Sequence, residues 1–208
     1  MSQDSLHALW VNPLAFDPEV HGPPYLPEKP TVKMASGGES ALMLLMPRMP
    51  DGASGVELGV LTGVLQAAAQ VHQSHHWQTR GPNYYSDHLL FERLYSESVP
   101  FVDQVAERAV GLGGVALVSP FLQASLVQVL MALWGLESAS APLDFAAVSL
   151  EVERCLVDCI EEVRATMEDR GALTSGTDNL LQGIADKHEE LIYLLQQRAG
   201  DTYSYDRA

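Results

Sequence analysis

Basic residues are scarce in this chain: 12 lysines and arginines stand against 27 aspartates and glutamates, a formal net charge of −15. The field around such a chain attracts cations and repels phosphate backbones, so metal ions are natural partners and DNA binding is not expected. Cysteine is also rare. Cys155 and Cys159 are the only two, too few for a disulfide framework and without the partners of a zinc site. Their spacing of four puts both on one face of a helix. No run of 18 apolar residues occurs, and the N-terminal MSQDSLHALW has neither the basic nor the apolar region of a secretion signal. These absences predict a soluble, non-secreted, cytoplasmic protein with no membrane partner.

Proline is scarce after residue 55, because eight of the twelve prolines precede it. The run FDPEVHGPPYLPEKP excludes helix through fixed φ angles and missing N–H groups. Residues 1–55 therefore read as a Pro-rich, extended N-terminal arm. Within it, TVKMA-SGGE-SALMLLM sets a Gly-Gly turn between two short apolar runs and predicts a hairpin. Lys29, Lys33 and Arg48 are outnumbered there by Asp4, Asp17, Glu19, Glu28, Glu39 and Asp51, so the arm is not a basic DNA-binding tail.

With 208 residues and 47% hydrophobic composition, the remainder can bury a full core without staples. From Val56 the apolar residues Leu58, Leu61, Leu65, Ala68 and Val71 recur at three- and four-residue spacings, as on a core-facing helix. That helix ends at Arg80-Gly81-Pro82-Asn83. A second helix is expected over 85–112, closed by Gly113-Gly114, and Pro100 within it should introduce a kink. PFLQASLVQVLMALWGL reads as a shorter apolar helix, followed by a loop. A third long helix covers about 147–170 and a fourth opens at Ser175-Gly176-Thr177-Asp178 and ends near Gly200. The fold class is all-α: four long helices over residues 56–200 with a short helix in the middle connection, and a tail at 201–208.

The second long helix carries His88, Glu92, Asp103 and Glu107 at spacings of four, eleven and four. Eleven residues is about three turns, so the four side chains form one stripe of metal-ligand types. Glu92 and Asp103 are nevertheless about 16 Å apart along the axis at roughly 1.5 Å per residue, beyond the reach of one metal ion. Two copies packed antiparallel about a two-fold axis bring one helix's first pair to the other's second pair, giving two equivalent sites. His76, at the end of the preceding helix, approaches His88 across the turn. Imidazole and carboxylate donors suit iron(II), manganese or zinc alike. The alternative for any one of these residues is a solvated helix face.

The residues around them resemble the Dps family of mini-ferritins in the ferritin-like superfamily. His76-Trp77-Gln78-Thr79-Arg80-Gly81-Pro82-Asn83-Tyr84, then His88, Glu92 and Asp103, and the string from Glu107 to Gly113-Gly114 are similar to the family pattern His-Trp-Asn-x-Arg-Gly-x-x-Phe. That pattern continues with a second His, an acid four residues on, and Asp-x-x-x-Glu before a Leu-Gly-Gly turn. A second block, Gly176 to Leu181 through His188-Glu189-Glu190, resembles the family's closing helix. The similarity covers about residues 56–200. It implies a ferritin-like four-helix bundle assembled into a hollow twelve-subunit shell, in which inter-subunit sites oxidise iron(II) with hydrogen peroxide and store a ferric mineral. By the resemblance His76, His88 and Glu92 come from one subunit and Asp103 and Glu107 from its mate. Trp77, beside the site, takes the place of a family tryptophan that limits radical escape; the competing reading is a core or interface aromatic.

The chain departs from the family at Asn179, where an acid often lies near an iron-entry pore, and in lacking a lysine-bearing tail. The Glu-x-x-His pairs of an intra-bundle di-iron centre are missing, since Tyr85 and Ala185 occupy the acidic positions. His72 is expected at a surface or interface, Cys155 and Cys159 as small buried residues, and Met43, Met46 and Met49 as packing against a neighbouring subunit. A second function class stays open: a structural or docking shell whose N-terminal arm, not its metal site, carries the function.

Overall fold

The computed structural model of the chain describes residues 40–50, 52–136 and 144–200, all within a compact unit spanning 32–208. Among the described residues there is no strand; six α-helices and two 3-10 turns follow one another. Helix α1 is short (Ala41–Leu45), α2 is Val56–Gln78, α3 is Tyr84–Gly113, α4 is Pro120–Leu133, α5 is Phe145–Asp169 and α6 is Ser175–Ala199. The ferritin-like arrangement of four long helices with a short one in the middle connection is thus realised by α2, α3, α5 and α6, with α4 between the pairs.

Capping residues set the boundaries. Ser119, Asp144 and Thr174 accept from backbone N–H groups of the first turns of α4, α5 and α6, satisfying donors that the helix itself leaves free. Pro120 begins α4, where its missing N–H costs nothing. Gly200 ends α6 in the left-handed region at φ 67°. The close approach of chain segments decides one glycine. A Cβ on Gly113 would lie 1.9 Å from the carbonyl oxygen of Ser54, so only glycine lets the end of α3 close over the start of α2.

Helix α2 is apolar most of the way round and is the central element. Leu58, Val60, Leu61, Val64, Leu65, Ala67 and Ala68 are all fully buried, as expected of a helix surrounded by others. It packs chiefly against α3 and also against α4 and α5, while α5 packs against α6. Each fully buried Leu or Val side chain contributes about 1.5–3 kcal/mol relative to exposure. Glu57 in the first turn of α2 is buried and pairs with Arg170 at the end of α5. A smaller cluster of Phe91, Leu94, Ala146, Leu150, Leu191 and Leu195 joins α3, α5 and α6.

The expectation for residues 41–50 changes. Residues 41–45 form a helix, not the second strand of a hairpin. Ser40 caps it by accepting from Met43 N at 3.1 Å, and Ala-Leu-Met-Leu-Leu is a run of strong helix formers with no β-branched residue. The first half of the expected hairpin lies outside the described residues, as do the stretch 1–39 and the tail 201–208. This short helix also places Leu42, Leu45 and Met49 in the main core, so the methionine run packs partly within its own chain, with Met43 exposed. Helix α3 runs through Pro100 as one helix. Leu94 and Ser98 before it and Val105 and Ala109 after it are buried on one face, and that packing holds the helix across the hydrogen bond proline cannot make.

Candidate metal centre

The turn from α2 to α3 brings His76 and His88 together. Their rings stack with centroids 3.8 Å apart and planes 18° from parallel. His76 Nδ1 lies 2.9 Å from the backbone carbonyl of His88, and His88 Nδ1 lies 3.0 Å from the carbonyl of His76. A carbonyl only accepts, so each Nδ1 carries the proton it donates. In the neutral rings both Nε2 atoms are then lone-pair donors, the tautomer a metal ion requires and the kind of orienting bond that fixes a ligating histidine. Both rings are half-buried. Two tyrosines frame the pair, and sequence spacing alone does not reveal either. Tyr84 stacks on His88 with centroids 5.1 Å apart, and Tyr95 meets His76 edge-on at 5.5 Å.

The other expected ligands are placed but not assembled by one chain. Glu92 is one turn beyond His88 and exposed; Asp103 and Glu107 are exposed on the far half of α3. Among the described residues no three His, Cys, Asp or Glu side chains converge in a way that could hold a metal ion. Asp103 lines a groove of about 590 Å³ between α2 and α3, together with Tyr95, Val99 and Gln73. Trp77 follows His76 in sequence and is 67% exposed.

The bundle interior holds a buried polar chain that residue type alone does not announce. His72 is fully buried, which corrects its expected surface or interface position. Its Nε2 lies 2.8 Å from Glu153 Oε1 and its Nδ1 3.1 Å from Ser149 Oγ. His188 Nδ1 lies 2.6 Å from Glu153 Oε2, and His75 Nδ1 2.9 Å from Ser149 Oγ. The ionised Glu153 accepts from both imidazoles, and Ser149 joins the two histidines of α2. Burial pushes the Glu153 carboxyl up, but the adjacent His188 and His72 outweigh it and hold it down at about 2. Burial, helped by the charge of His72, lowers His75 to about 3, so that ring is neutral and stacks on Phe145 at 4.6 Å. His188 Nε2 is buried without a partner.

These positions do carry a signal. Ala146, Ser149, Glu153, Leu156, Ile160 and Val163 alternate spacings of three and four, as do Leu61, Leu65, Ala68 and His72, and Leu181, Ile184, His188 and Leu191. Each polar residue sits in register with a core-facing stripe. The cysteines are free, Cys159 buried and Cys155 half-buried. Burial first, and Glu151 and Asp158 next, raise the Cys155 thiol to about 11, and Cys159 is raised as well. Neither is a reactive thiolate, in keeping with the packing role expected of them.

Comparison with known proteins agrees with this architecture. Residues 60–202 match the family model of the ferritin-like domain. The chain is 31% identical over 123 residues to DNA protection during starvation protein 2 of Bacillus anthracis, covering 58% of this chain and 79% of that one. It is also 31% identical over 138 residues to the nutrient stress-induced DNA-binding protein of Nostoc sp., covering 66% and 72%. Among solved structures it is similar to Dps from Thermosynechococcus elongatus, with a TM-score of 0.59 at 19% identity over 81% of this chain and 99% of that one. Among the described residues no helix is long and apolar enough to cross a membrane. On the match of the family model and of these relatives, the chain belongs to the ferritin-like family and, within it, to the Dps proteins.

Proposed function

We propose that the protein is a ferroxidase and iron store that removes iron(II) and hydrogen peroxide together. The observation that carries this reading is the histidine pair: two Nε2 lone pairs, fixed by reciprocal Nδ1–H bonds to backbone carbonyls, with Glu92 one turn further along α3. Nitrogen donors hold iron(II), and carboxylates favour the harder ferric ion, so the mixed set binds the substrate and favours its oxidation. Two iron(II) ions each give one electron to a peroxide, which takes up two protons and leaves as two waters.

The complete site in this reading is shared: His76, His88 and Glu92 from one subunit and Asp103 and Glu107 from a two-fold mate. Closure of a shell of about twelve copies then gives the mineral a cavity, which the net charge of −15 makes attractive to cations. Tyr84 and Tyr95 flank the histidines with oxidisable rings, and exposed Trp77, next to His76 in sequence, is assigned the radical-limiting position. The protein acts in the cytoplasm, with an arm at 1–55 and a tail at 201–208 flanking the bundle.

The relatives from Bacillus anthracis and Nostoc are named for DNA protection and DNA binding. For this chain protection by chemistry is favoured over direct contact, because phosphate repulsion dominates at this net charge. The test of the central activity is anaerobic iron(II) loading followed by peroxide, comparing wild type with Asp103→Ala/Glu107→Ala. Wild type should oxidise iron(II) at a rate the variant loses; equal rates would sink the ferroxidase reading.

A further inference from the structure

Next to the proposed ligand His76 stands a histidine outside the ligand set, and its ring is held from another helix. His75 is buried, although an apolar side chain would fill the same space without a donor to satisfy. Its Nδ1 lies 2.9 Å from Ser149 Oγ, which lies 3.1 Å from His72 Nδ1, and His72 Nε2 lies 2.8 Å from Glu153 Oε1. A carboxylate only accepts, so neutral His72 carries its proton on Nε2 and its Nδ1 accepts. The single hydroxyl hydrogen of Ser149 therefore goes to His72, and Ser149 Oγ accepts from His75 Nδ1–H. Each donor is fixed by the one before it, from Glu153 out to His75.

The bond to Ser149 acts where α2 is least able to hold itself. Helix α2 ends at Gln78, and the last turn of a helix frays unless groups outside it take part. The N–H of Thr79 closes on the carbonyl of His75 at 2.9 Å, and the carbonyl of His76 accepts from His88. Successive residues on a helix point about 100° apart, so fixing the ring of His75 fixes the height and rotation of that turn. The ring and carbonyl of His76 are fixed with it. His75 also stacks on Phe145 at 4.6 Å and meets Phe91 edge-on at 5.5 Å. Phe91 is three residues past His88 on α3, so one side chain touches the helices of both paired histidines. Stacked faces can slide, whereas the hydrogen bond to Ser149 is directional.

We propose that His75 and Ser149 are positioning residues: the hydrogen bond between them anchors the last turn of α2 to α5 and so sets the spacing of His76 and His88. As a role in metal binding, this rests on the reading of that pair as ligands. The first measurement needs no metal: carbethoxylation of His76 and His88 by diethyl pyrocarbonate, read by peptide mass spectrometry on the full, assembled chain. Ser149→Ala should speed modification of His76 by about threefold or more, with helical circular dichroism and native mass kept. His75→Phe, which keeps a ring against Phe145 and removes the donor, should do the same. Both changes together should do no more than either alone, as for one shared bond. Each should also weaken cobalt(II) binding by about tenfold. Ser98→Ala removes a buried hydroxyl from α3 that bonds the Leu94 carbonyl of its own helix, and should change neither rate nor affinity. Unchanged modification of His76 in Ser149→Ala and His75→Phe, effects that add in the double variant, or an equal effect of Ser98→Ala would overturn the assignment. Faster modification and weaker cobalt(II) binding in the variants, beside a wild type that does not oxidise iron(II), would support the anchor and count against the ferroxidase reading alone.

Discussion

His76 and His88 hold each other: stacked at 3.8 Å, each donates its Nδ1–H to the other's backbone carbonyl. The turn between α2 and α3 thus positions the two proposed ligand rings through the backbone of the same two residues. Replacing either ring should remove one nitrogen donor and loosen the other. His88→Ala is expected to weaken binding of cobalt(II), a spectroscopic stand-in for iron(II), by more than about tenfold, as read from its d–d absorption. The thermal midpoint should move little, because both rings are only half-buried.

Glu153 sets the acid stability of the bundle. Its carboxyl is held at about 2 in the fold against an ordinary value of 4.5. The unfolded chain therefore takes up its proton first. Stability from this group is present above pH 4.5 and is lost as pH falls towards 2, with a slope of up to about 1.4 kcal/mol per pH unit. Urea unfolding of wild type between pH 6 and 2.5 should show this slope. Glu153→Gln should be less stable at pH 7 by about 1–3 kcal/mol, since an amide cannot accept from both buried imidazoles as the carboxylate does, and should be flatter across the acid window.

Gly113→Ala tests how α3 closes over the start of α2. Its methyl group would meet the Ser54 carbonyl 1.9 Å away, and relief requires a backbone shift. A loss of about 1–3 kcal/mol is expected from overpacking, measurable as a lower denaturant midpoint with unchanged helix content.

Electrophoretic mobility of a DNA duplex at neutral pH and low salt should be unchanged by the protein. The net charge of −15 opposes the counterion release that drives DNA binding. A shift that disappears on adding salt would instead mean that the chain's few basic residues are grouped in the assembly.

The helices are readable because Leu61, Leu65, Ala68 and their counterparts repeat with the helical period, and because Pro82, Gly113 and Gly200 punctuate the ends. His72, Glu153 and His188 keep that same period, yet as charged or titratable residues they read as surface positions; only their burial across three helices shows that they satisfy one another. The helix at 41–45 is hidden by the Gly-Gly pair before it, a turn signal equally compatible with a strand or a helix on its far side. For the metal centre, sequence spacing places Asp103 and Glu107 beyond reach of His88 on one chain. The reciprocal carbonyl bonds and the two tyrosines depend on the path of the turn, which residue types do not specify.

Complementation tests the shared site most directly. His76→Ala/His88→Ala keeps the carboxylates and loses the histidines; Asp103→Ala/Glu107→Ala does the reverse. Each alone should fail to oxidise iron(II) with peroxide. Refolded together at equal amounts, they should recover activity approaching a quarter of wild type, because random pairing makes about half of the dimers mixed and each mixed dimer restores one of its two sites. Full activity of either variant alone, or a mixture as inactive as its parts despite mixed pairing, would contradict a ferroxidase centre built from two chains.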